Sequence, residues 1–370
     1  MPELIYMKNL IRNIISWHKN NKQAGKPKVI LHVGVEKTGT TTIQEFLHLN
    51  RKLLADQGIF FPRFMNPRNH RKLAVFCCND NKSNQFTTIN DINDPAKRKK
   101  WKSDFKMLFG KEMAKIYGNF GSVIFSSEHL TTLLREQREI QYLKNFLESY
   151  ASSFILILYI RRQDLLAGSM ISNAAKSGHG KVLPKGREIF KRHFYNYNGL
   201  IESWSAIFGR QNIRVRIFEN SQMLNGDLLQ DFVQQAEVSQ DERFILPGIL
   251  NTSLSATAVE AAWAFNKKFP VNHTSIDIKT LKSLRLELIS QANENYPGPA
   301  KMLLKQDAES FLEHYKKSNR QLAREWFDRD QLFSEDFSMY PDKGQNPNPD
   351  LAESLVEDFV KRKGLALFHE

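Results

Sequence analysis

Apolar residues along this chain follow two alternating periods, one short and continuous, the other helical. Val29 to Val33 is an apolar, β-branched run suited to an interior parallel strand, and from Ile43 onward Phe46, Leu47, Leu53 and Leu54 recur at helical spacing. Gly58 can cap that helix, and Ile59 to Phe61 reads as a short extended segment. Trp101 to Tyr117 predicts a helix ending at Gly118, Ser122 to Ser126 a buried strand, and Ser153 to Ile160 the strongest strand of the chain. In Asn212 to Phe218, Ile213, Val215 and Ile217 alternate with Arg214 and Arg216, the pattern of an edge or half-covered strand. Beyond Ser253 the pattern is helical, over Ala256 to Phe269, Leu281 to Asn293 and Ala300 to Phe327. Strands alternating with helices predict an α/β fold with a parallel sheet covered on both faces, and the helical C-terminal region is expected to cap it.

With 370 residues, 41% of them hydrophobic, the chain can bury a large core. No linker-like stretch divides it. Asn79 to Asp94 reads as a surface loop, so the expectation is an N-terminal amphipathic helix over 1–26 and one domain over 27–370, helical from about residue 253. The apolar stripe of Ile5 to Trp17, interrupted by Lys8 and Arg12, is too short and too charged to span a bilayer. It is expected to pack on its own domain, with peripheral contact to an anionic membrane surface as the alternative. Cys77 and Cys78 are adjacent, so they build no disulfide framework, and with no secretory signal a reducing, cytoplasmic location is the default. None of the ten histidines has metal-ligand spacing, so no metal is expected.

The net charge of +13 points to a polyanionic partner. One basic cluster, Lys97 to Lys100 with Lys102, surrounds Trp101 and reads as a solvated helix face. A second, Lys176, Lys181, Lys185, Arg187, Lys191 and Arg192, is the better candidate for an acceptor rim. No nucleic-acid-reading module is present, so nucleic acid is not an expected partner.

Chemistry concentrates where the first strand becomes a helix. Gly34 and Gly39 bracket a turn that points backbone N–H groups and the positive end of a helix dipole at the loop, and Lys37 adds a full charge; the natural guest is a phosphate or sulfate. A Walker A loop carries its Lys directly after the second Gly, whereas here Lys37 precedes Gly39 and Thr40, Thr41 and Thr42 follow it. This Gly-x-x-Lys-Thr-Gly-Thr-Thr loop, led in by a strand, resembles the 5′-phosphosulfate loop of the sulfotransferase superfamily, whose donor is 3′-phosphoadenosine 5′-phosphosulfate (PAPS).

Arg161, leaving the Ser153–Ile160 strand, and Ser169, eight positions later, resemble the superfamily's 3′-phosphate motif. Asn69-His70 with Leu73, Ser126-Ser127-Glu128, Val215 to Glu219, Asn251-Thr252-Ser253, and Asn319 with Leu322-Ala323 resemble its bacterial members, so the likeness spans roughly residues 28 to 330. Arg362-Lys363-Gly364 echoes a late phosphate-contacting segment without its Gly-Asp-Trp. The resemblance implies a P-loop-like three-layer fold and a metal-independent transfer of the sulfuryl group from PAPS to an acceptor hydroxyl, of a glycan or glycolipid. Lys37, Thr38, Gly39, Thr40, Thr41 and Thr42 would hold the 5′-phosphosulfate, and Arg161 and Ser169 the 3′-phosphate.

Such a transfer also needs a base. Glu128 and His129 both sit where the second long strand becomes a loop. His129-Leu130 lines up with the His of the cytosolic enzymes and Ser-Ser-Glu with bacterial relatives, so both remain candidates, with His70 as a third. The rival readings are a P-loop kinase or NTPase, with Thr38 as its Mg²⁺-binding hydroxyl, and a noncatalytic nucleotide-binding relative.

Overall fold

The structure, a computed structural model, describes residues 25–179, 195–248, 254–271, 273, 275–343 and 349–365. The expected N-terminal helix, the basic residues Lys181 to Arg192 and the Asn251-Thr252-Ser253 segment lie outside the described residues. Along the chain run β1 (Lys28–His32), α1 (Thr40–Leu49), α2 (Arg51–Asp56), β2 (Ile59–Phe60), α3 (Arg71–Cys77), α4 (Gln85–Ile89) and α5 (Pro95–Ala114). There follow β3 (Ser122–Ser126), α6 (His129–Leu133), α7 (Gln137–Glu148), β4 (Ser153–Ile160), α8 (Gln163–Lys176), α9 (Tyr197–Phe208) and β5 (Ile213–Ile217). The last helices are α10 (Leu228–Gln235), α11 (Ala256–Lys268), α12 (Ile278–Asn295), α13 (Lys305–Phe327) and α14 (Pro349–Arg362).

These elements form two compact units, Met1–Ile160 with Leu200–Gly248, and Arg161–Gly199 with Ile249–Glu370. The first holds a parallel sheet of order β2-β3-β1-β4-β5. Because β1 lies between β3 and β4, the chain leaves it toward one side and returns on the other. The carboxyl end of β1 is therefore a topological switch point, the place where open parallel sheets bind ligands.

Strand alternation gives each sheet face its own core. Ile30, Ile124, Ile155, Ile157 and Tyr159 pack with Ile43, Phe46 and Leu47 of α1, Leu54 of α2 and Phe232 and Val233 of α10. On the other face Phe125 meets Phe109 of α5 with ring centroids 5.7 Å apart, and Phe109 meets Phe146 of α7 at 4.8 Å. Helices on both faces make the unit a three-layer α/β, P-loop-like fold. β5 is the expected edge strand, its Arg216 held by the buried Asp231.

The second unit is helical. Phe265 of α11, Phe269 just after it, Leu281 and Leu288 of α12 and Val356, Phe359 and Val360 of α14 form one buried cluster. Among the described residues no helix is long and apolar enough to cross a membrane.

Two differences from the expected elements have clear causes. The α5 helix begins at Pro95, not Trp101, because Asp94 caps it, accepting from Lys97 N–H at 2.9 Å, with proline at the first turn; the basic run masks the period that continues into Phe105, Phe109 and Met113. The same run is not a plain solvated face. Arg98 is buried, and Lys102 bonds Asp80 at 2.6 Å and the Cys78 carbonyl at 3.0 Å, anchoring the start of the Asn79–Asp94 loop. That loop contains α4, started by a capping box between Asn84 and Thr87.

Candidate functional site

The loop from β1 to α1 is built to be tight. The Val33 N–H bonds the Ile157 carbonyl at 3.0 Å, and the Thr131 hydroxyl of α6 donates to the Gly34 carbonyl at 2.8 Å, so strand β4 and the helix that follows β3 fix its start. Thr38 is buried and donates to the Val35 carbonyl at 2.7 Å. Lys37 (φ 65°) and Gly39 (φ 78°) both adopt the left-handed conformation, which brings the chain round to α1 within the loop. No side chain caps α1, whose first N–H groups lack partners from preceding turns. The Thr40 hydroxyl is buried with no hydrogen-bond partner, and a methyl at Gly34 would lie 2.4 Å from it. Thr41 is exposed and Thr42 half-buried. An uncapped helix start with an unsatisfied hydroxyl is suited to a tetrahedral anion.

Gly39 has a second constraint. A Cβ there would come within 2.2 Å of the Leu228 side chain and 3.0 Å of Phe218. Gly39→Ala is expected to lower unfolding free energy by about 2 kcal/mol through strain and clash together, read as the shift in urea midpoint. An unchanged midpoint would refute the loop geometry.

The carboxyl end of β3 carries the candidate bases. Glu128 accepts from Gln44 Nε2 at 3.0 Å and from Asn69 Nδ2 at 3.0 and 2.9 Å on its two oxygens. Asn69 is itself aimed by Ser127, whose hydroxyl donates to Asn69 Oδ1 at 2.8 Å. The carboxylate is thus positioned by neutral amides on α1 and on the segment before α3. His129 Nε2 lies 3.7 Å from Glu128 Oε1. Burial lowers the His129 pKa below its usual value, and the pull of Glu128 the other way does not cancel this, so the imidazole is neutral at neutral pH. No local sequence pattern marks Gln44 and Asn69 as positioning residues; Asn69 stands out in the sequence only within the Asn69-His70 segment that resembles bacterial sulfotransferases.

His70 has a different place from the one expected of a base. It is fully buried; its Nδ1 accepts from the Ser126 N–H at 3.0 Å and its Nε2 donates to the Pro62 carbonyl at 3.1 Å, which leaves no nitrogen for an acceptor's proton. It ties the loop before α3 to the end of β3. His32, at the end of β1, is also buried, with Nδ1 2.8 Å from the Ser126 hydroxyl. Burial lowers the pKa of His70 to about 4 and that of His32 to about 3. Both are therefore neutral in the folded state, while the unfolded chain takes up protons below about 6.5. Their contribution to stability is complete above that pH and is lost as pH falls toward 4, at up to about 1.4 kcal/mol per pH unit for each histidine. Urea midpoints measured from pH 6.5 to 4.5 should fall steeply for the native chain and less steeply for His70→Gln; parallel slopes would contradict the buried, neutral assignment.

In the second unit, Arg161 and Ser169 are brought together as expected. Arg161 Nη1 donates to Ser169 Oγ at 3.0 Å, and that hydroxyl donates to the Leu165 carbonyl at 2.9 Å, one helical turn back on α8. Burial pulls the Arg161 guanidinium below its ordinary range. Arg162 is structural. It forms a two-pronged pair with Asp164, both bonds 2.8 Å, and spends Nη1 on the carbonyls of Ser334 and Asp336. Gln163 and Asn319 exchange amide bonds of 2.8 and 3.1 Å, fastening α8 to α13. A recess of about 520 Å³ lies in this unit between α13 and residues 330–335, lined by Lys316, Asn319, Arg320, Arg324, Asp330 and Phe333 among others, and none of the sequence-predicted site residues lines it. Among the described residues no group of three or more His, Cys, Asp or Glu side chains could hold a metal ion.

No protein-family model matches the chain. It is 25% identical over 252 residues to an uncharacterized protein of Archaeoglobus fulgidus, an alignment covering 66% of this chain and 67% of that one. Among solved structures it is similar to a sulfotransferase from Alicyclobacillus acidocaldarius, at 16% identity and a TM-score of 0.38, over 70% of this chain and 99% of the other.

Proposed function

We propose that this chain is a sulfotransferase that moves the sulfuryl group of PAPS to an acceptor hydroxyl, of a glycan or glycolipid. The observation that carries the reading is the Arg161–Ser169 contact at 3.0 Å, which supports taking these two residues as a phosphate-binding pair in addition to the Lys37 loop. A donor with a 3′-phosphate needs such a pair and ATP does not. On this reading the loop from Lys37 to Thr42 holds the 5′-phosphosulfate through backbone N–H groups, the Thr40 hydroxyl and the helix dipole. Arg161 and Ser169 take the 3′-phosphate.

The chemistry is an in-line displacement at sulfur. The acceptor oxygen forms a bond to sulfur as the bond from sulfur to the 5′-phosphate oxygen breaks, Glu128 takes the hydroxyl proton, and adenosine 3′,5′-bisphosphate leaves. Lys37 stabilises the charge that grows on the departing phosphate. Glu128 is favoured over His129 as base because two amides orient its carboxylate, whereas burial opposes protonation of the imidazole.

The test is calorimetry with adenosine 3′,5′-bisphosphate, adenosine 5′-monophosphate and Mg·ATP. The bisphosphate is expected to bind tightest, and Arg161→Ala to weaken it roughly tenfold to a hundredfold without changing the monophosphate's affinity. Preference for Mg·ATP would overturn the reading in favour of a kinase.

A further inference from the structure

Near Glu128 stands a cation that no carboxylate among the described residues pairs. Arg71, the first residue of α3, is half-buried, yet among the described residues no carboxylate comes within 4 Å of its guanidinium. Its Nε is buried without a hydrogen-bond partner, and its one bond to a side chain among the described residues is a long one, from Nη2 to Asn84 Oδ1 at 3.4 Å. Asn84 matches it. Its Oδ1 caps α4 by accepting from the N–H groups of Phe86 at 2.9 Å and Thr87 at 3.3 Å, while its Nδ2 is buried and unpartnered. The Phe86 ring lies 5.8 Å from the guanidinium carbon and supports the cation from one side.

Other arginines nearby are committed: Arg51 bonds the Phe61 carbonyl at 2.8 Å and Arg68 pairs with Glu45. Arg71 is not held in this way, so it can re-aim toward an arriving anion at the loss of one weak bond. Glu128 acts on Arg71 electrostatically from beyond pairing distance, and Arg71 in turn acts on His129. A half-buried, unpaired charge with an orphaned amide beside it is costly unless a ligand completes it.

We infer that Arg71 and Asn84 form an anion subsite of the acceptor, so that the acceptor is an acidic saccharide, its carboxylate or sulfate group held by Arg71 while a neighbouring hydroxyl faces Glu128. This rests on the sulfotransferase reading only for the identity of the ligand as acceptor; binding itself can be measured without PAPS. An anion on Arg71 is kept from the like-charged Glu128, which orients the sugar as well as attracting it.

The experiment is calorimetry of the full chain with a hexuronate oligosaccharide, its carboxyl-reduced neutral counterpart, and that neutral oligosaccharide bearing a sulfate group. The native chain is expected to prefer either acidic form over the neutral one at least tenfold, and the two acidic arms tell carboxylate from sulfate. Arg71→Gln should collapse that preference to near unity. Asn84→Asp supplies an internal anion beside Arg71 while keeping a good helix cap, and should remove the preference with no loss of thermal stability. Equal binding of acidic and neutral forms by the native chain, or an undiminished preference in both variants, would overturn the subsite. Adenosine 3′,5′-bisphosphate binding in the same preparation reports separately on the donor reading.

Discussion

Glu128→Gln is expected to reduce sulfuryl transfer about 10²- to 10⁴-fold with little change in donor binding, the range for loss of a positioned general base. The substitution keeps size and planarity, and the amide it introduces can still accept from Asn69 through its one remaining oxygen. Gln44 must turn its own amide to avoid facing a second NH₂ group, a rearrangement that costs one bond and not the fold. A structural role for Glu128 would show instead as a lower urea midpoint with kcat intact. His129→Asn is the companion measurement. Lying 3.7 Å from Glu128, with its imidazole held neutral by burial, His129 is expected to influence the rate by about tenfold or less. If the two substitutions exchange effects, the base is His129.

What could be read from the amino acids was whatever is local. Ser122–Ser126 and Ser153–Ile160 are strands at the bounds their apolar runs predict, since a strand buried on both faces has no polar positions to blur its ends. The Lys37 loop was legible because glycine and threonine spacing states its own backbone geometry, and Arg161 with Ser169 because eight residues from a strand end onto a helix place both side chains on one side. The environment of each candidate base was not legible. His70 and His129 look alike in sequence, and only the packing of Phe61 and Phe125 around His70, with the Pro62 carbonyl at one nitrogen and the Ser126 N–H at the other, removes it from chemistry. Arg161 and Arg162 are neighbours with opposite fates for the same reason. Asp164 and the distant carbonyls of Ser334 and Asp336 claim Arg162, and no short-range pattern encodes them. Likewise the basic run at α5 suggested a solvated face until Asp80 and the Cys78 carbonyl placed part of it against a loop.

Lys37→Ala is expected to lower kcat about 10²- to 10³-fold, the loss that follows removal of one preorganised donor to a developing anion. Alanine keeps a Cβ at φ 65°, where a side chain costs roughly 1–2 kcal/mol, so it removes the ammonium while the backbone strain stays. Lys37→Gly removes both. Glycine adopts this conformation without strain, so that variant should be as stable as the native chain or more stable by up to about 1 kcal/mol, and equally inactive. Lys37→Arg retains charge at the same φ and should keep a measurable fraction of activity, limited by the wider guanidinium in a loop where Thr38 is already buried. A strained non-glycine residue at a helix start is tolerated when its side chain is needed there, and a stable, inactive glycine variant is the signature of that arrangement. If Lys37→Gly turns over PAPS at the native rate with product trapped, the ammonium is not stabilising the leaving phosphate, and the backbone N–H groups of the α1 start carry that charge alone.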